Sequence, residues 1–157
     1  MPRQTYPPQS LNALGDTWQG VKVERATATL PQSTHAPIFN ITGGRVVVTA
    51  IIGTVTTVLG AVGNVKLTSY NTAGSVSSDL CAVVAAGTTA AYAQLSIDGV
   101  PGDAMIIGLS AVQAMTVCGV ICPAGTIDLS ASASSTGSIK WTLCYVPFDQ
   151  NATVTAA

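Results

Sequence analysis

Charge is what this sequence has least of. Six Lys or Arg and seven Asp or Glu make up 8% of its 157 residues, against about 25% in an average soluble domain. Acid–base, nucleophilic and metal chemistry all draw on ionisable groups, and the chain has one histidine, His35, and one glutamate, Glu24. The shortage argues against an enzyme and against a resident cofactor or metal. It also leaves a surface that Ser, Thr, Ala and Gly, or another protein, must cover. With a net charge of −1 and a pI near 5.5, no basic face is predicted for nucleic acid. Lys22 and Arg25 stand close together but enclose Glu24, which reads as a solvated strand face.

Strong helix formers are also few. Leu, Glu and Lys give way to Ala, Val, Thr, Ser and Gly, and β-branched residues favour pleated surfaces. The chain is nevertheless 48% hydrophobic, too apolar for a disordered segment. Its length suits one domain with a real core.

The start, Met1-Pro2-Arg3-Gln4-Thr5-Tyr6-Pro7-Pro8, has no apolar run before a small-residue cleavage site, so no export signal is expected. Four cysteines, Cys81, Cys118, Cys122 and Cys144, allow two disulfides in three connectivities. Without export, reduced thiols buried in apolar strands are the expected state. Two sequons, Asn40-Ile41-Thr42 and Asn151-Ala152-Thr153, arise readily in a Thr-rich chain and carry meaning only in a secretory pathway.

Three stretches carry no charge: Val46 to Val65, Leu80 to Ile97 and Ala104 to Ile127. Each is long enough to cross a bilayer as a helix. Thr49, Thr54, Thr56 and Thr57 and three glycines dilute the first, and Gln113 and the turn Cys122-Pro123-Ala124-Gly125 interrupt the third. Neither has aromatic residues at its ends as an interfacial belt. Long buried strands are predicted here, with no membrane partner.

Five of the eight prolines (Pro2, Pro7, Pro8, Pro31 and Pro37) fall in residues 1–37, with half of the basic residues and one of the two tryptophans. Proline removes a ladder donor and fixes φ. The segment therefore reads as an extended N-terminal arm, with a short strand over Val21 to Thr29, ahead of a β domain over residues 38–157. An arm of this kind orders by lying on a neighbour, which makes Arg3, Tyr6, Trp18, Lys22 and Arg25 the candidate partner contacts.

From Ile38 onward, strands alternate with turns. The clearest period of two lies near the C-terminal end. Ile127, Leu129 and Ala131 oppose Asp128 and Ser130, while Ile139, Trp141, Leu143 and Tyr145 oppose Ser138, Lys140, Thr142 and Cys144. Six to eight short strands at this spacing predict an all-β fold, an antiparallel β-sandwich or jelly roll.

Catalytic constellations are hard to assemble. His35 sits among prolines and reads as a surface histidine. Cys118 and Cys122 have no second pair to complete a zinc site. Asp98 and Asp103 flank Gly99-Val100-Pro101-Gly102; they could offer oxygens to calcium or an acid pair, but a hairpin loop with solvated carboxylates explains them. Gly43-Gly44 lacks the Lys-Ser/Thr of a phosphate loop.

The segment Thr29-Leu30-Pro31-Gln32-Ser33-Thr34, followed by Ile38-Phe39-Asn40-Ile41-Thr42-Gly43-Gly44-Arg45-Val46, resembles small structural proteins of tailed bacteriophages. The closing Gly137-Ser138-Ile139-Lys140-Trp141-Thr142-Leu143-Cys144-Tyr145-Val146-Pro147 is similar to the last strand of the same kind of protein. The resemblance implies a capsid decoration or cement protein of β-sandwich type, made in the host cytoplasm and carried on the virion surface. It implies a homotrimer with the major capsid protein as partner, and it carries over no functional residue. The alternative is a head-fibre or tail-associated module that recognises a cell-surface glycan. That would need exposed aromatics on loops, whereas the alternation places Trp141 and Tyr145 inside.

Overall fold

The computed structural model describes residues 19–60, 63–109, 112 and 118–157. Twelve strands carry their regular structure: β1 (Val21–Thr29), β2 (His35–Thr42), β3 (Val46–Thr57), β4 (Asn64–Asn71), β5 (Val76–Asp79), β6 (Val84–Ala85), β7 (Gln94–Ser96), β8 (Ile106–Gly108), β9 (Val120–Cys122), β10 (Gly125–Ala131), β11 (Ser138–Pro147) and β12 (Thr153–Ala156). They form two antiparallel sheets. The first runs β1-β11-β3-β7-β8 with β9 also on β3; the second runs β12-β2-β10-β4-β5 with β6 also on β4.

The pairings nest. β1 takes β11, β2 takes β10, β3 takes β7 and β9, and β4 takes β5. This is a long hairpin rolled on itself, the winding of a jelly roll. The all-β sandwich expected from the alternation is the observed fold.

The core lies between the sheets. Ile127, Leu129 and Ala131 of β10 and Val65 and Leu67 of β4 point in from the second sheet. Ile139, Trp141, Leu143 and Tyr145 of β11 and Ile51 and Val55 of β3 meet them from the first. In β3 the buried positions change phase between Val48 and Ile51. There the register against β11 slips, Cys144 facing Ala50 but Tyr145 facing Val48, so Thr49 is the extra residue of a β-bulge. A bulge shifts every later side chain to the opposite face.

The strand expected over Val21 to Thr29 is β1, but it and the start of β2 are built into the sheets and do not form an arm. β1 is an edge strand of the first sheet, paired with β11 from Val21↔Tyr145 to Thr29↔Ser138. β2 begins at His35, so the boundary after residue 37 cuts through a strand inside the second sheet. Proline misled the reading at Pro37. The register of β10 on β2 passes from Ile127↔Phe39 to Asp128↔Pro37, making Ile38 the extra residue of a bulge, where a missing N–H is tolerated. Residues 1–18 lie outside the described residues.

The charge-free stretches contribute β3, β6, β7, β8 and β9 instead of helices, and no helix among the described residues is long and apolar enough to cross a membrane. All four cysteines are buried and free.

Candidate functional site

Alternation decides which side chains face outward from the second sheet. In β4, Val65, Leu67 and Ser69 are buried, which turns Lys66, Thr68 and Tyr70 to the outer face. In β10, the inward Ile127, Leu129 and Ala131 leave Asp128 and Ser130 on that same face.

Register then aligns these residues across four strands. Ser130 lies between His35 of β2 and Lys66 of β4, and Asp128 between Pro37 and Thr68. Thr68 in turn faces Asp79 of β5, and Tyr70 faces Ser77. His35, Lys66, Thr68, Tyr70, Ser77, Asp79, Asp128 and Ser130 together line a cleft of about 370 Å³.

Two of its charges cancel: Lys66 Nζ donates to Asp79 Oδ1 at 2.7 Å. Asp128 is different. It is 8% exposed, and its Oδ1 is buried without a hydrogen-bond partner. A buried polar atom left unpaired costs free energy, more so when it is charged. Ser69 Oγ also lacks a nitrogen or oxygen partner, but it faces inward against the Cys122 thiol.

Other candidates have simpler roles. Lys22 Nζ and Lys140 Nζ both donate to Glu24, at 3.2 and 3.3 Å. Their hydrogen bonds, that of Lys22 first, hold the Glu24 carboxyl below its ordinary value. Arg25 Nε donates to the Ala157 carbonyl at 3.1 Å, tying the edge of one sheet to the end of β12 in the other. Arg3, Tyr6 and Trp18 lie outside the described residues. His35 is exposed at one side of the cleft. Asp98 Oδ1 accepts the Val100 N–H at 2.9 Å and closes its own turn. Asp103 is exposed in the same loop, and neither carboxylate lines the cleft. Among the described residues no group of three His, Cys, Asp or Glu is placed to hold a metal ion. Cys118 and Cys122 are buried beside β3, and desolvation pushes the Cys122 thiol up to about 11.

A second feature sits at one corner of the first sheet. The register Thr54↔Gln94↔Gly108 brings the end of β3, the start of β7 and the end of β8 together. Tyr92 and Leu109 flank these ends at 72% and 80% exposure.

Neither feature stands out in the one-dimensional pattern. Outward Asp128 and Ser130 follow from alternation, but their placement beside Lys66, Asp79 and His35 follows from register. Comparison with protein families, curated proteins and solved structures finds no match for this chain.

Proposed function

We propose that this chain is a non-enzymatic structural component of a virion, which binds the assembled capsid shell from outside and stabilises it. The major capsid protein is its partner, and a homotrimer its assembled form. The observation that carries this reading is the apolar corner of Tyr92 and Leu109, brought together by the pairing of β7 with β8. Clustered exposed apolar side chains mark protein contact surfaces, with aromatic residues as anchors.

The electrostatics favour the same reading. Each described cation is bonded within the chain: Lys22 and Lys140 to Glu24, Arg25 to Ala157, Arg45 to Asp149 and Lys66 to Asp79. A neutral, Ser/Thr-rich surface packs against a partner without stranding unpaired charge. Jelly-roll winding occurs in viral capsid proteins and in lectins, an analogy of fold alone. A protein that binds only the assembled shell stabilises that shell by mass action.

Quantitative mass spectrometry of purified particles tests the proposal. A ratio of this chain to the major capsid protein near a simple fraction is the expected result. A handful of copies per particle moves the chain to the tail or a fibre, and complete absence removes the virion reading.

A further inference from the structure

We propose that the outer face of the second sheet is a binding site for a neutral, polyhydroxylated ligand of the saccharide class, with Asp128 as the acceptor that fixes it. The site is separate from the apolar corner, on the other sheet, and stands whether or not the chain binds a shell.

Asp128 carries the inference. Its side chain is more than nine-tenths buried, it lines the cleft, and its Oδ1 has no partner. A donor from a ligand removes that penalty, and hydrogen bonds to a charged acceptor are stronger than neutral ones.

The rest of the lining selects the class of donor. Lys66 and Asp79 neutralise each other, so Asp128 sets the sign of the cleft and repels an anionic ligand. The described residues offer no cluster for a metal ion. No large aliphatic side chain lines the site. What remains are the hydroxyls of Thr68, Ser77, Ser130 and Tyr70 around one acceptor. Each hydroxyl both donates and accepts, which suits a ligand made of hydroxyl groups. The volume of about 370 Å³ falls at the small end of ligand sites, roughly 300–1,000 Å³. Every lining residue stands on a strand or at its end, so the donors and acceptors are held by the ladder and not by loops.

The test is an NMR titration of the full ¹⁵N-labelled chain with glucose, galactose, mannose, N-acetylglucosamine and lactose. Calcium chloride, lysine amide and N-acetylneuraminate serve as the divalent, cationic and anionic comparisons. The expected result is saturable shift changes at residues 35, 66–70, 77–79 and 128–130 with at least one neutral sugar. Asp128→Asn should weaken that binding at least about tenfold, the loss of one charge-assisted hydrogen bond. The variant should also keep its fold, with a denaturation midpoint no lower than that of the parent, because no hydrogen bond to Oδ1 is lost. Lys22→Ala, outside the cleft, should bind as the parent does. The proposal is overturned if no neutral sugar saturates the cleft, if calcium or either charged compound does so instead, or if Asp128→Asn binds unchanged. Unfolding of Asp128→Asn would also overturn it, since the carboxylate would then be structural. Particle mass spectrometry reads the shell proposal separately.

Discussion

Trp141 lies across Gly53. The two are register partners on β11 and β3, and a Cβ on Gly53 would come within 2.8 Å of indole Cη2 and Cζ3. The largest buried side chain of the core fits because its neighbour has none. Gly53→Ala is therefore expected to force the ring out of its place and destabilise the fold by about 1–3 kcal/mol, the usual cost of overpacking. Chemical denaturation followed by fluorescence checks this. A shift below about 0.5 kcal/mol, the range of a surface substitution, would show that the ring relaxes freely.

Arg45 and Asp149 join the start of β3 to the segment after β11. Arg45 donates from Nε and Nη2 to the two carboxylate oxygens at 2.9 and 2.8 Å, its backbone N–H adds a third bond, and its guanidinium lies 4.6 Å from the Phe148 ring centroid. These bonds, that of the Arg45 side chain foremost, bring the Asp149 carboxyl from 3.8 to about 2. A depressed folded value means that the unfolded chain takes up the proton first. The contribution is thus fully present above about pH 4 and is lost as pH falls through about 2. Denaturation of the parent and of Asp149→Asn should differ at pH 7 and converge at pH 2; a constant gap would assign the difference to something other than this ionisation.

Burial raises all four thiols, Cys122 to about 11. The thiolate is the reactive species. In the native protein at pH 8 a disulfide reagent such as DTNB should label none of them on the time scale of minutes, and denaturant should release all four. Rapid labelling of one native cysteine would mean that its strand opens readily.

Truncations separate the segment before β1 from the sheets. Removing residues 1–18 leaves every described strand and should preserve a cooperative unfolding transition. Removing residues 1–37 deletes β1, the buried Leu30 and the start of β2, leaving one edge of β11 unpaired, and should abolish that transition. If shell binding depends on Tyr6 and Trp18, the shorter truncation loses it while remaining folded, as sedimentation with purified particles will read.

The apolar corner is tested by Tyr92→Asp and Leu109→Asp. Both side chains are highly exposed, so stability should change by no more than about 0.5 kcal/mol. Shell binding should fall about tenfold or more, as at a contact hot spot. Full binding by both variants would place the contact elsewhere on the surface.

Composition and period determined the fold class by themselves. The alternations of Ile127 to Ala131 and Ile139 to Tyr145 are local steric facts, since successive side chains on a strand must point to opposite faces. Scarcity of charge was legible in the same way, as was the burial of Trp141. Elements with weak local signals were not. All four residues of β5 are exposed, so no apolar pattern marks the strand, and β12 is held by pairing to β2 after the long alternation has ended. Pro37 spoke for an extended arm because nothing in the sequence announces a bulge.

Tertiary structure alone decided what stands beside what. His35 and Ser130 are far apart in sequence, as are Lys66 and Asp128, and only antiparallel register brings them to one outer face. The same holds for Tyr92 and Leu109, joined by the pairing of β7 with β8. Between bulges, facing is a local property settled within two residues by the pleat. Neighbourhood across a sheet depends on the nesting of the whole chain, which no local pattern encodes.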